Sequence, residues 1–308
     1  MSSTPTYIII AGTNKAATTS VFNYLSDHPE VCGSYIKQTN FFLEAGGTQN
    51  RVADYADGEE QYEQFFRDCA GEIPYRLEAS PDYLYSTVAA ERIRRFAETH
   101  PVRLVVILRH PVSRFQSWFR FAKQNGLLEP EADLQDFLRE NHESVSLAYP
   151  ARSAREGGNY AGHIRRFREH CPDVPIQFHF YETLTEQPGV FMSEITDSLG
   201  ISGELYRDYP FKRFNATVRV RSQGVRKVYN GLRKFIHGTI YQNRVIRRVL
   251  QTPIALVQRS YRSYNTTQTN AAPSGDQQAL AELHRYYQQD RDALEREIGR
   301  AVPWTYAE

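Results

Sequence analysis

Apolar positions run unbroken from Tyr7 to Ala11, with three consecutive isoleucines, and stop at Gly12. A short apolar run ended by glycine predicts a strand buried on both faces and a turn after it. From Thr18 the period lengthens. Val21, Tyr24 and Leu25 fall on one helical face, and His28-Pro29 closes the segment. The same alternation recurs along the chain. Val31 to Phe42 reads as a short strand and loop, and Tyr75 to Glu78 as a short strand that ends before Ser80-Pro81. A helix from Val88 to Glu98 leads through His100-Pro101 into the apolar run Arg103 to Leu108. Asn159 to Arg168 predicts a helix, Val174 to Tyr181 alternates as a strand, and a further helix closes at Leu199-Gly200-Ile201. A last helix follows Pro273, with Leu280, Leu283, Tyr286, Tyr287, Leu294 and Ile298 as its apolar stripe. Strands alternating with helices predict an α/β fold of three layers, with a central, mostly parallel sheet flanked by helices.

At 308 residues, 41% of them apolar, the chain is long enough to bury a sizeable core. With no internal repeat or low-complexity linker, residues 1–308 read as a single domain. Residues 45–75 read as an exposed loop and a short amphipathic helix. Met1 to Thr6 lacks the basic and apolar regions of a secretion signal, and no run of about eighteen apolar residues predicts a membrane span. Cys32, Cys69 and Cys171 are odd in number and widely spaced, so the expectation is three free thiols in a reducing cytoplasm.

Charge alters this picture in one place. The segment from Tyr209 to Gly275 holds thirteen Lys and Arg and no Asp or Glu, while the whole chain is +1, so the remainder is −12. Arg219, Arg226, Lys227, Arg233, Lys234, Arg247 and Arg248 are interleaved with Phe235, Ile236, Ile240 and Leu250, a basic amphipathic pattern. Three readings stay open: a solvated face that also helps hold donor phosphates, a groove for an acidic acceptor, or peripheral contact with anionic lipid. No nucleic-acid-binding motif accompanies the charge.

The strand-turn-helix junction at Gly12 carries the chemistry. It aims backbone N–H groups and the positive end of a helix dipole at one spot, beside Lys15 and the hydroxyls of Thr18, Thr19 and Ser20. Set against the nucleoside-triphosphate loop G-x-x-x-x-G-K-[ST], Ala17 and Thr18 replace the second glycine and the lysine, and only Thr19 fits. A magnesium-nucleotide enzyme also needs a carboxylate at the end of a later strand. The run to Leu108 ends instead in Arg109, which suits a second anion.

Residues Gly12 to Ser20 resemble the 5′-phosphosulfate loop of sulfotransferases that use 3′-phosphoadenylyl sulfate (PAPS). Ile107-Leu-Arg-His-Pro-Val-Ser-Arg-Phe-Gln-Ser-Trp118 resembles their 3′-phosphate motif. The resemblance implies a P-loop-like fold and PAPS as donor with no metal. It also implies donor contacts from Asn14, Lys15, Ala16, Ala17, Thr18, Thr19, Ser20, Arg109 and Ser117. Ser113 itself reads as the cap of the helix that follows, with Ser117 four residues on along the same face. The heparan-sulfate and bacterial branch usually reads Lys-Glu before two aromatics, and that glutamate is the base. Here the place holds Lys37-Gln38, and glutamine cannot accept a proton at neutral pH.

Lys37 and Gln38 are then expected at the acceptor, and Phe41 and Phe42 in the core. Glu78, in the Glu-x-Ser-Pro-x-Tyr segment, is the expected base, with Glu44 as runner-up and His28 as a helix-end residue. Lys15 is the expected catalytic cation. Glu182 is expected to brace a helix N-terminus, His163 to lie at the surface and His179 in a strand. Trp304 matches the family's terminal tryptophan. The implied reaction is sulfuryl transfer to a hydroxyl or amine, with a saccharide or glycolipid as acceptor. The rivals are a catalytically impaired PAPS-binding or membrane-associated protein and a P-loop kinase.

Overall fold

The computed structural model describes residues 4–44, 53–69, 71–125, 127–129, 131–143, 154–212, 218–220, 266–268 and 277–306. Five strands form one sheet: β1 (Thr6–Gly12), β2 (Val31–Gly33), β3 (Tyr75–Glu78), β4 (Val102–Leu108) and β5 (Ile176–Phe180). Their order is β2-β3-β1-β4-β5 and every pairing is parallel. The two strands predicted from unbroken apolar runs, β1 and β4, pair at the centre, where both faces are covered.

Alternation along those strands divides the core into two layers. Tyr7, Ile9 and Ala11 join Leu104, Val106 and Leu108 on one face. There they meet α3 (Thr87–Ala97) through Ala89, Ala90, Ile93 and Phe96, and α6 (Tyr160–His170) through Tyr160, Ile164 and Phe167. Ile8, Ile10, Val105 and Ile107 face the other way. They pack against α1 (Thr18–Ser26) through Val21 and Leu25, and against α8 (Pro188–Leu199) through Phe191, Met192 and Ile195. The result is the expected three-layer α/β fold. Ile9 has no exposed surface, and truncating such a side chain to Ala costs about 2 to 5 kcal/mol.

The remaining helices are α2 (Glu59–Glu63), α4 (Pro111–Asn125), α5 (Leu134–Glu143), α7 (Tyr181–Glu186) and two near the end, α9 (Gln277–Gln288) and α10 (Arg291–Ile298). The single terminal helix expected after Pro273 is thus two helices within the described residues. Around α2, Tyr62 and Phe65 are buried against Phe41 and Phe42, which are core residues as expected, and Phe66 packs on Tyr62.

Contacts divide the chain into two compact units. One is Met1–Phe119, Glu131–Asn215 and Gly275–Glu308, and the other is Arg120–Pro130 and Ala216–Ser274. The second contains an antiparallel pair, β6 (Val218–Val220) with β7 (Thr266–Gln268). Most of the basic segment, residues 213–217 and 221–265, lies outside the described residues.

Three expectations are corrected. Cys32 and Cys69 form a disulfide with Cα atoms 5.8 Å apart, and only Cys171 is a free, buried thiol. Tyr35 N–H donates to Phe65 O, which draws the chain after β2 beside the turn that leads to Cys69. The 37-residue separation hides that proximity in the sequence. Ser113 does not cap a helix, because α4 already begins at Pro111, a residue that suits a first helical position. His163 is buried, not superficial: its Nε2 bonds to Glu156 O, and burial lowers its pKa to about 4.

Candidate functional site

The candidate donor residues Asn14 to Ser20 follow the carboxyl end of β1 and Arg109 follows that of β4, whereas Ser117 lies on α4. Gly12 closes β1, and a Cβ there would come within 3.0 Å of Leu84, so the strand end admits no larger residue without a shift. Thr13 then fastens the turn to β4, with its N–H and its Oγ1 each 2.9 Å from Ile107 O. Lys15 and Ala17 both take positive φ, 69° and 60°. Ala17 is the N-cap of α1 and no side chain caps it, while Ser20 N–H and Val21 N–H return to Ala17 O. A helix start left without a side-chain cap can satisfy its orphan N–H groups on a bound anion.

Arg109 reaches this loop from the end of β4. Its Nη1 donates to Lys15 O at 2.9 Å, and its guanidinium stacks 4.2 Å from the Tyr181 ring. Its Nε is buried with no hydrogen-bond partner among the described residues. Burial lowers the Arg109 pKa, so the cation is held partly desolvated. The carbonyl of Arg109 accepts from Tyr160 OH at 2.8 Å, which fixes the backbone beneath the side chain. Glu182 braces the same corner as expected, accepting from His110 N–H ahead of α4 and from Trp304 Nε1, each at 2.9 Å.

Arg114 completes the join and has no role in the sequence-based expectations. It is fully buried on α4. Its Nε donates to Asn14 O at 3.1 Å, Nη1 to Ala154 O at 2.9 Å and Nη2 to Tyr85 OH at 3.4 Å. The only signal available in sequence was an arginine one helical turn beyond His110. Ser117 lies further along α4, partly exposed.

Lys15 is in the field of both cations. Its Nζ lies 4.8 Å from the centre of the Trp118 ring. Burial, then the charges of Arg114 and Arg109, bring its pKa down to about 7. Lys37 approaches from the loop after β2, with Nζ 3.2 Å from Thr18 Oγ1. Burial lowers its pKa to about 8, against the opposing pull of Glu78 and Asp82. Of the other loop residues, Ala16, Thr18 and Ser20 are buried, whereas Asn14, Ala17 and Thr19 are partly exposed. Gln38, beside Lys37, is exposed.

Glu78 lies on the same edge but is sealed. It has no exposed surface, and it accepts hydroxyl bonds from Ser80 at 2.6 Å, Thr39 and Tyr83 at 2.9 Å, and Tyr62 at 3.3 Å. Burial raises its pKa, opposed by those four hydroxyls. Glu44 accepts from Ser86 Oγ at 2.7 Å at the start of α3, and His28 pairs through Nε2 with Ser202 O. Asp82, which had no expected role, accepts a hydrogen bond from Asn14 Nδ2 on the loop itself. Among the described residues no three His, Cys, Asp or Glu are grouped to hold a metal ion.

The family model for the sulfotransferase domain matches residues 5–215. The chain belongs to the sulfotransferase family. It is 26% identical over 222 residues to the human bifunctional heparan sulfate N-deacetylase/N-sulfotransferase 2, covering 68% of this chain and 23% of that protein. It is 26% identical over 196 residues to the mouse heparan sulfate glucosamine 3-O-sulfotransferase 3B1, covering 63% of this chain and 45% of that one. The chain thus spans less than half the length of either relative. The crystal structure of a sulfotransferase from Alicyclobacillus acidocaldarius shares the fold, with a TM-score of 0.64 at 18% identity over 97% of this chain and 98% of that one.

Proposed function

We propose that the protein transfers the sulfuryl group of PAPS to a hydroxyl or amine of a carbohydrate or glycolipid. The observation that carries this reading is the 2.9 Å bond from Arg109 to the carbonyl of Lys15, which locks two separate cationic positions into one unit. Two anions a nucleoside apart match that unit. The 5′-phosphosulfate would take the loop Asn14 to Ser20 at the start of α1, and the 3′-phosphate would take Arg109 with Ser117. The unpaired Nε of Arg109 fits an anion still to be bound, and β4 leads into an arginine where a magnesium site would need a carboxylate.

Sulfuryl transfer needs an in-line nucleophile and prepositioned donors for the charge that develops on the leaving oxygen. Lys15 stabilises that charge, and Lys37 with Thr18 steadies the sulfonate side. The heparan sulfate named for both relatives supports a saccharide as acceptor class. A catalytically impaired PAPS-binding protein is the second reading, favoured by Gln38 standing where the family places its base. The basic segment is proposed to serve donor, acidic acceptor or anionic lipid. Vesicles of phosphatidylserine bound at low salt and released at high salt would select lipid.

The test of the main reading is transfer of labelled sulfate from PAPS to desulfated heparan sulfate or to an unfractionated extract. Labelled product is expected. Tight binding of the desulfonated donor product, 3′-phosphoadenosine 5′-phosphate (PAP), without any transfer would select the second reading.

A further inference from the structure

We propose that Asp82 is the general base of the transfer, taking the acceptor's proton in the place where Gln38 cannot. This rests on the sulfotransferase reading above and adds to it the residue that makes turnover possible. The contacts of the other candidates commit them elsewhere. Glu78 is sealed beneath four hydroxyls, Glu44 is engaged with Ser86 at the start of α3, and His28 is buried against Ser202.

Asp82 differs from them in three ways. It follows Pro81 just beyond the carboxyl end of β3, the strand beside β1, so it stands on the ligand-binding edge of the sheet. It is partly exposed, and although it heads the short turn Tyr83–Tyr85 its side chain makes no capping bond there. Its carboxylate instead meets Asn14 Nδ2, one residue from Lys15, and its field acts on Lys37, whose ammonium contacts Thr18. Asp82 therefore faces the residues that would surround the transferring group.

The step balances without a further reactant. As the acceptor oxygen or nitrogen forms its bond to sulfur, its proton passes to an Asp82 oxygen. The bond from sulfur to the bridging oxygen breaks, and its electron pair stays on the 5′-phosphate of the departing PAP beside Lys15. The proton on Asp82 then returns to water. A carboxylate has about four lone-pair sites, so the bond from Asn14 is compatible with this task and orients the group.

The experiment compares the parent, Asp82→Asn, Asp82→Glu and Asp82→Asn with Gln38→Glu. PAP affinity is read by calorimetry, and transfer from labelled PAPS is read to desulfated heparan sulfate, to extract and to water. Asp82→Asn is expected to lower kcat by about a hundredfold or more with PAP affinity within about threefold, the range for a lost general base. Gln38→Glu in that background is expected to return at least tenfold of the loss, which a merely structural role would not allow. Unchanged transfer in Asp82→Asn overturns the proposal. A parallel loss of PAP affinity, or no rescue from either Glu variant, also overturns it by reducing Asp82 to a brace for Asn14. A parent that binds PAP but moves no label to any of the three acceptors overturns it too. A parent that does not bind PAP refutes instead the sulfotransferase reading beneath it.

Discussion

Replacing Arg109 with Ala cuts the bond that ties the end of β4 to the Lys15 carbonyl. The side chain donates to Lys15 O, stacks on Tyr181 and holds a buried Nε with no hydrogen-bond partner among the described residues. A charge-assisted contact of this kind is worth about 1.5 to 3 kcal/mol, and a two-pronged one more. The loss in PAP affinity is expected to be about 2 to 4 kcal/mol, or roughly 30- to 1000-fold. Part of that could come from the loosened Lys15 carbonyl and not from the 3′-phosphate. Adenosine 5′-phosphate, which lacks the 3′-phosphate, isolates that part: its affinity should fall by no more than about 1 kcal/mol, the worth of one ordinary hydrogen bond. Calorimetry of both nucleotides against parent and variant gives the coupling directly. Equal losses for the two ligands would refute the assignment of Arg109 to the 3′-phosphate, and an unchanged PAP affinity would remove Arg109 from the site.

Three other perturbations follow from the same geometry. Lys15 is about half neutral near pH 7 in the free protein, and a bound polyanion raises its pKa. PAP binding at pH 8 should therefore take up protons, and affinity should fall as pH rises above 7; calorimetry in buffers of different ionisation enthalpy reads the uptake, and proton release would contradict it. Arg114→Met leaves Asn14 O and Ala154 O without their donor at about 1 to 3 kcal/mol each, so a loss of about 3 to 5 kcal/mol in stability is expected by denaturant titration. Cys32→Ser opens a loop of 37 residues, for which chain entropy gives about 3 to 4 kcal/mol, and a thermal midpoint equal to the parent's would contradict that disulfide.

The parts of the fold that the sequence announces are those governed by local pattern. Three consecutive isoleucines ended by Gly12 mark β1, because a strand covered on both faces cannot alternate. The loop and Arg109 are legible because each depends on a residue type at a strand end. What stays hidden depends on side chains meeting across the chain. Cys32 and Cys69 meet because β2 and the turn after α2 run side by side, which no spacing rule reports. Arg114 reads in sequence as one more helical arginine, and only its burial against Asn14 and Ala154 reveals it as the clamp beneath the loop. Glu78 and Asp82 lie four residues apart in one motif. The sequence favours the first, whereas packing seals it under Ser80, Thr39, Tyr83 and Tyr62 and leaves the second beside the loop.

The most direct measurement is the binding of PAP in the presence of a metal chelator, compared with ATP plus magnesium on the same protein. Two locked cationic positions predict PAP binding at micromolar dissociation constants or tighter, about −8 kcal/mol or better, unchanged by the chelator and well ahead of ATP. Preference for ATP with magnesium, or no binding of PAP, would contradict the claim that these residues form a site for PAPS.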